Sequence, residues 1–448
     1  MYIPHTDAER EAMLEVIGVE RMEDLFQDVP AGHRFPELDL PPALTEMEIL
    51  AEMQNIAAGN ETTRELISFL GAGAYSHYTP AAVDSILRRG EFYTAYTPYQ
   101  PEVSQGTLRA IFDYQSLIAS LTGMEVCNAS HYDGSTAVAE AVSMAHAQFR
   151  GKRRKVVLSP ALHPQYRENV RTYNPGNDLT IIGDEGNNPT AGPEALLPLI
   201  DTDTALVIVQ YPDFFGRIYD YSALAQAAHE AGALFSVSAN PLALGLLTPP
   251  GDFGADIVTG EGQSLGIPLS FGGPYLGLFA TRMEYVRKMA GRLVGESVDI
   301  NGQRAYVLTL TAREQHIRRE KATSNICTNQ GLIALASTVY LSMLGKHGLR
   351  QVAELCYHKA HYAAQEISAL PGYKVWSDAP FFHEFVVRCP RPVQEINELL
   401  LENSILGGYD LSQDYPQIEN SMLLAVTEMN SKDEIDLLVS ALVEVSND

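Results

Sequence analysis

Gln263 lies where an apolar run of the sequence, residues 255–258, gives way to a turn rich in glycine and proline that extends to residue 274. The run predicts a short buried strand, and Gln263 follows its carboxyl end. A lysine amine in such surroundings can hold a carbonyl compound as an imine. An amide cannot form an imine. The position therefore has the setting of a covalent cofactor site without the residue that would form the covalent bond.

Two other places could bind parts of a ligand. Asp133-Gly134-Ser135-Thr136 precedes a predicted helix, so its backbone N–H groups could bind an anion. The alternative is a helix cap made by Asp133 or Ser135, and Asp133 would also repel a phosphate. His163 follows a predicted strand at the end where α/β proteins bind ligands, and it could stack on a ring. A structural histidine before Pro164 is the alternative.

An imine-forming residue, an anion-binding turn and a stacking ring are parts of a pyridoxal-phosphate site. The fourth part, a carboxylate that pairs with the pyridine nitrogen, is expected at Val237, which cannot hold that charge. Asp256 is the acid nearby, and we interpret it as structural. Because the imine-forming residue and the carboxylate are missing together, we predict a degenerate site with no catalytic residue in this chain. Its candidate residues are His163, Ser135, Thr136 and Gln263.

Three tyrosines at a spacing of three, Tyr93, Tyr96 and Tyr99, lie among prolines. The composition predicts a stiff aromatic loop with hydroxyl groups, which could line a site or fill an interface. Packing in the interior is the alternative. We take these tyrosines and Gln100 as candidates for contact with a partner's site.

Lysines are few: the chain has eight, with none before residue 152 and none between 156 and 287. Lys321 belongs to a basic run, residues 313–325, but it lacks the strand-end setting that a Schiff base needs. A solvated or salt-bridged helix is the favoured interpretation of this run. Contact with an acidic partner or an anionic group is the alternative.

Apolar runs alternate with helical patterns between residues 156 and 280, which predicts an α/β fold with a mostly parallel sheet. Residues 1–60 are expected to form a helical arm whose first helix Asp7 caps. Residues 61–330 are expected to form the large α/β domain. Residues 331–448 are expected to form a small C-terminal α+β domain.

Composition excludes several classes of protein. A net charge of −25 argues against a nucleic acid or an anionic membrane as partner. The sequence has no continuous apolar run of the length that a membrane span needs, and the N-terminus lacks an apolar signal core. The four cysteines are scattered, so we expect neither disulfides nor a metal site, and reduced thiols in the cytoplasm.

Several segments together resemble the P-protein family of the glycine cleavage system. They are residues 69–75, 93–102, 104–106, 254–258, 271–274 and 318–328. In that family the catalytic polypeptide is one fused chain of two related halves or two separate subunits. This chain is similar to the N-terminal half, or α subunit. The resemblance implies the aspartate-aminotransferase-like fold (fold type I) of pyridoxal-phosphate-dependent transferases, with the cofactor lysine on the homologous β subunit.

The resemblance also implies a reaction. Glycine is decarboxylated by the α and β subunits together, and the remaining aminomethyl group passes to the lipoyl arm of H-protein. An (αβ)2 heterotetramer is the implied assembly. Two alternatives stay open: an autonomous pyridoxal-phosphate decarboxylase or aminotransferase that uses Lys321 or another lysine, and a non-catalytic paralogue.

Overall fold

The computed structural model describes residues 4–184, 190–326 and 329–447. The chain divides into two compact units, Met1–Glu61 and Thr62–Asp448. The predicted boundary between a large and a small domain at residues 330 and 331 stays a prediction.

The N-terminal unit contains helices α1 (Asp7–Ile17) and α2 (Glu46–Ala57). The prediction that Asp7 caps α1 is wrong, because Thr6 is the cap. The Thr6 hydroxyl accepts a hydrogen bond from the Glu9 N–H group, and the Glu9 carboxylate accepts one from the Thr6 N–H group. This reciprocal pair satisfies two N–H groups of the first turn, which a cap at Asp7 would leave unpaired.

The second unit alternates strands and helices, as the sequence pattern predicts. Its strands are β1 (Ile67–Ser68), β2 (Val126–Cys127), β3 (Lys155–Leu158), β4 (Thr180–Ile182), β5 (Thr204–Tyr211), β6 (Leu234–Ala239), β7 (Ile257–Glu261), β8 (Gly277–Thr281), β9 (Leu293–Val298), β10 (Arg304–Thr309), β11 (Lys374–Val375), β12 (Glu384–Arg388), β13 (Ile405–Leu406), β14 (Tyr409–Asp410) and β15 (Ser421–Ala425). Its helices are α3 (Ala81–Leu87), α4 (Gly90–Tyr93), α5 (Gln105–Thr122), α6 (Gly134–Gln148), α7 (Pro164–Tyr173), α8 (Ser222–Glu230), α9 (Gln315–Arg318), α10 (Gly331–Ser368), α11 (Val393–Glu402) and α12 (Lys432–Asn447).

Seven of the described strands form one sheet in the order β2-β8-β7-β6-β5-β3-β4. Strands β3 to β7 run parallel, whereas β8 runs antiparallel to β7 and β2. The interior strand β5 is almost continuously apolar and buried, as expected where helices cover both faces of a sheet. The predicted α/β fold with a mostly parallel sheet is confirmed.

Alternate residues of the central strands supply two cores. Val209 and Val237 pack in one cluster, and Ile208 and Leu234 pack in another with the apolar side of α6. This alternation follows from the period of two in a strand. Packing of α6 on this face of the sheet places the N-terminus of the helix beside the carboxyl ends of β6 and β7.

A second sheet, β11-β12-β15-β14, is antiparallel and packs with α11 and α12. The helical segment α10 is interrupted at Gly345, whose φ is 56°. By length and composition alone α10 could cross a membrane, a property that core helices share. Tyr340 packs in the cluster of the large sheet and Ala360 in that of the second sheet, so α10 packs as a core helix.

Candidate functional site

A cavity of about 40 Å³ lies at the carboxyl ends of β5, β6 and β7. Ligands of open α/β sheets bind in this position. The cavity is lined by Gly73, Tyr75, His163, Tyr166, Gln210, Ser238, Ala239, Asn240, Glu261 and Ser264.

The turn before α6 is engaged by carboxyl groups. Asp133 is the N-cap, and its Oδ1 accepts a hydrogen bond from the Thr136 N–H group at 2.7 Å. The Thr136 hydroxyl accepts one from the Asp133 N–H group, and the Ser135 hydroxyl accepts one from Asn169 Nδ2 at 2.8 Å. The cap that the sequence left as the alternative is present here.

Glu261, the last residue of β7, faces the same helix end. Its Oε2 accepts a hydrogen bond from the Gly134 N–H group at 2.9 Å. Its Oε1 accepts one from the Gln263 N–H group and one from the Leu276 N–H group, each at 3.0 Å. Burial raises the pKa of Glu261 to about 8, against the lowering effect of these three bonds.

Gln263 is buried and does not line the cavity. Its Oε1 accepts a hydrogen bond from the Tyr75 N–H group at 2.9 Å, and its Nε2 donates to the carbonyl groups of Tyr75 and Ile267. The amide therefore uses both its donor and its acceptor to hold the backbone at Tyr75. The equivalence of position 263 with a cofactor lysine stays a prediction.

A glycine-containing loop, residues 71–75, lies over this part of the site. The Ala72 N–H group donates to Glu384 Oε1 at 2.7 Å, and the Tyr75 hydroxyl donates to Glu384 Oε2 at 2.8 Å. A Cβ at residue 71 would lie 2.5 Å from the Ala425 Cβ, so only glycine permits this approach. Burial raises the pKa of Glu384 to about 7.

His163 is buried at the N-terminus of α7 and stacks on Tyr166, with ring centroids 4.6 Å apart. Its Nε2 lies 2.8 Å from the Ala72 carbonyl oxygen, and burial lowers its pKa. His163 thus reaches the cavity wall, and one face of its ring is taken by Tyr166.

Val237 is buried in the core and does not line the cavity, whereas its neighbours Ser238 and Ala239 do. Asp256 is structural, as interpreted from the sequence. Its Oδ2 accepts hydrogen bonds from the Phe235 N–H group and, at 2.9 Å, from His229 Nε2. It precedes β7 and so lies at the opposite end of that strand from the cavity.

The tyrosine loop lies at the surface. Tyr93, Tyr96 and Tyr99 are exposed by 68%, 77% and 51%, so packing in the interior does not explain them in this chain. Gln100 is exposed as well. Arg292 Nη2 donates to the Tyr99 hydroxyl at 3.2 Å, and its guanidinium carbon lies 5.7 Å from the Tyr99 ring centroid. This contact fixes the side chain of Tyr99, whereas the side chains of Tyr93 and Tyr96 are mostly exposed.

The basic run is divided between surface and core. Lys321 is exposed in a short 3-10 helix. Arg313 donates to the carbonyl groups of Met289 and Gly291, and burial lowers its pKa to about 10. Cys327 and Thr328, which end the last resembling segment, lie outside the described residues.

One group of potential metal ligands occurs in the described part of the chain: His77, Cys356 and Glu428. Glu428 Oε2 lies 2.7 Å from His77 Nδ1 and accepts a hydrogen bond from the Cys356 thiol at 3.3 Å. Glu428 therefore contacts each of the other two side chains directly. The expectation that the chain holds no metal stays a prediction.

The residues present do not fit pyridoxal phosphate. The helix end that would hold a phosphate is engaged by the carboxyl groups of Asp133 and Glu261, and the nearest candidate for an imine is an amide. A cavity of about 40 Å³ is also far smaller than the roughly 300–1,000 Å³ of ordinary ligand pockets.

The fold is that of the pyridoxal-phosphate-dependent enzymes of fold type I. Solved structures with this fold include a sphingosine-1-phosphate lyase of Burkholderia pseudomallei, at a TM-score of 0.65 and 15% identity, covering 94% of each chain. A crystal structure of glycine decarboxylase (P-protein) in inhibitor-bound form gives a TM-score of 0.91 at 43% identity, covering 99% of this chain and 100% of that one.

The family description "Glycine cleavage system P-protein" matches residues 1–442. A probable glycine dehydrogenase (decarboxylating) subunit 1 from Thermomicrobium roseum is 56% identical, covering 100% of both chains. A protein of the same name from Geobacillus kaustophilus is 52% identical, covering 98% of both. This chain belongs to the glycine cleavage system P-protein family, so the resemblance found in the sequence is confirmed.

The sequence did not reveal the parts played by Glu261 and Glu384. The role of Glu261 could have been suspected because it is an acidic residue at the end of a predicted strand, two residues before Gln263. Glu384 is 309 residues from Tyr75 in the chain. No local pattern predicts a contact at that distance.

Proposed function

We propose that this chain is the α subunit of a two-chain glycine dehydrogenase (decarboxylating), and that pyridoxal phosphate is held by a homologous β subunit. The observation that carries the proposal is Gln263, an amide fixed in three hydrogen bonds within a chain of the P-protein family. The relatives named subunit 1 support it, because that name implies a second subunit.

In this proposal the two subunits decarboxylate glycine and pass its aminomethyl group to the lipoyl arm of H-protein, in the cytoplasm and as an (αβ)2 heterotetramer. In the heterotetramer, this chain supplies the surface that pairs with the homologous β subunit. Retaining one functional site in a pair of related subunits is compatible with pseudo-twofold assembly. The exposed loop with Tyr93, Tyr96, Tyr99 and Gln100 is the part that we propose contacts the partner's site.

Borohydride trapping tests the proposal. The full chain, alone and co-expressed with a candidate β subunit, is incubated with pyridoxal phosphate and reduced, and labelled peptides are read by mass spectrometry. We expect a specific label on the β subunit only, and glycine-dependent release of carbon dioxide only from the pair. A stoichiometric label on one lysine of this chain, such as Lys321, would overturn the proposal in favour of an autonomous enzyme.

A further inference from the structure

The N-terminus of α6 carries an inference that goes beyond the missing lysine and deepens the proposed function. We propose that the carboxyl group of Glu261 takes the place of a bound phosphate at the N-terminus of α6. A phosphate-bearing cofactor is then excluded even where a lysine replaces Gln263. The inference concerns this chain alone, so it can fail while the proposal of a cofactor-bearing partner stands.

Three backbone N–H groups converge on Glu261. Gly134, at the first turn of α6, donates to one carboxyl oxygen, and Gln263 and Leu276 donate to the other, at 2.9 to 3.0 Å. Backbone N–H groups at the end of a helix of 15 residues are the donors that bind phosphate oxygens in other proteins. Of the three donors to Glu261, Gly134 belongs to this helix end, whereas Gln263 follows β7 and Leu276 precedes β8.

Ser264 gives an independent indication that this is a place for a ligand. Its side chain lines the same cavity, the residue is 3% exposed, and its hydroxyl has no hydrogen-bond partner among the described residues. A buried hydroxyl without a partner costs free energy unless it serves a ligand or an ordered water. Glu261 lines the same cavity.

Helix α6 and strand β7 are in direct contact at Glu261. A Cβ at Gly134 would lie 2.9 Å from the Glu261 nitrogen and 3.0 Å from the Glu261 Cβ, so helix and strand already touch. The Asp133 carboxylate engages the same turn through Thr136. A phosphate brought here would find the N–H groups of Gly134 and Thr136 already hydrogen-bonded to carboxyl groups.

The competing interpretation is that Glu261 only fastens β7 to α6. Both interpretations predict that removal of the carboxyl group destabilises the chain, because three N–H groups lose their acceptor. Only the proposal that the carboxyl group occupies a phosphate position predicts that added phosphate restores the lost hydrogen-bond acceptor.

Phosphate rescue of the full-length chain separates the two. Thermal midpoints of the parent, Glu261→Ala and Glu384→Ala are measured against increasing inorganic phosphate, with chloride at matched ionic strength. Glu384→Ala is the matched control, since it also removes a buried carboxyl group near the cavity but not from a helix end. A ligand that binds only the folded state raises the midpoint as its concentration rises. We expect a phosphate-specific rise of several degrees in Glu261→Ala alone.

The proposal is overturned by a folded Glu261→Ala whose midpoint responds to phosphate no more than that of Glu384→Ala. A phosphate-specific rise in the parent overturns it as well, because the parent site is then open. If Glu261→Ala does not fold, Glu261→Ser, which leaves a small polar side chain, replaces it in the same comparison. If neither folds in chloride, refolding is attempted in phosphate at matched ionic strength: recovery of the folded chain in phosphate alone supports the proposal, and failure in both salts overturns it.

Discussion

The side-chain amide of Gln263 and the backbone of Tyr75 are joined by two hydrogen bonds of 2.9 Å, one in each direction. The two residues are 188 positions apart in the chain, so the pair fastens the loop of residues 71–75 to the end of β7. A lysine could donate to the Tyr75 carbonyl group but could not accept from its N–H group. The amide at this position is therefore suited to holding the loop.

Gln263→Ala is expected to destabilise the chain. The substitution leaves the Tyr75 N–H group and two carbonyl groups without their partner in a buried place. A buried polar group left unpaired costs about 1–3 kcal/mol, and we expect a loss within roughly that range. Urea unfolding at equilibrium measures it.

The control is Gln226→Ala, which removes an exposed amide paired with Glu230 on α8. That substitution should change the free energy of unfolding by roughly 0.5 kcal/mol or less. Equal effects of the two substitutions would show that the Gln263 bonds contribute nothing particular to stability.

Gln263→Lys alone is not expected to create a cofactor site. The new ammonium group would leave the Tyr75 N–H group unpaired, and Glu261 would still engage the end of α6. Reduction with borohydride in the presence of pyridoxal phosphate should give no stoichiometric label at position 263. The double variant Glu261→Ala with Gln263→Lys should accept more label there. Full labelling of Gln263→Lys would contradict this expectation, because it would show that the site lacks only a lysine.

The sequence predicted the fold more completely than the site, and the reason is physical. Strand and helix periodicity is local, so β5, α8 and α11 could be placed from runs of a few residues. The role of Gln263 depends on Tyr75, and that of Tyr75 on Glu384 in another sheet. Such contacts are set by the tertiary fold and leave no spacing signal in the chain.

Glu384→Gln is expected to flatten the dependence of stability on pH. Burial raises the pKa of Glu384 from 4.5 to about 7 in the folded chain. Between those values the folded state holds a proton that the unfolded state has released, so the free energy of unfolding falls as pH rises. One such group changes the free energy of unfolding by at most about 1.4 kcal/mol per pH unit. The glutamine can still accept from Ala72 and pair with the Tyr75 hydroxyl, so it removes the titration and keeps the contacts.

Denaturant unfolding from pH 4.5 to pH 7 tests this expectation. Relative to the parent, Glu384→Gln should gain stability as the pH rises through the window. Glu395→Gln, on the exposed side of α11, is the matched control and should leave the shape of the parent curve unchanged. Parallel curves for the parent and Glu384→Gln would contradict a raised pKa at Glu384.

The tyrosine loop should matter for the activity of the assembled complex and little for the stability of this chain. Tyr93 and Tyr96 are exposed, so their rings gain little from folding and can be buried by a partner. Tyr99 differs, because its hydroxyl accepts from Arg292 and its ring lies beside the same guanidinium group. Tyr99→Phe keeps the ring contact and removes the acceptor, whereas Tyr99→Ala removes both.

Each of Tyr93, Tyr96 and Tyr99 is therefore changed to Phe and to Ala, and glycine turnover is measured in the complex with the β subunit. Truncation of a central aromatic contact typically costs about 2 kcal/mol or more, so at least one Ala variant should lose roughly thirtyfold or more in kcat/KM. Tyr78→Ala is the control, since Tyr78 is also exposed, by 59%, but lies outside the loop. Unchanged kinetics in all six loop variants would remove the loop from the partner's site, because no exposed ring on it would then contribute to turnover.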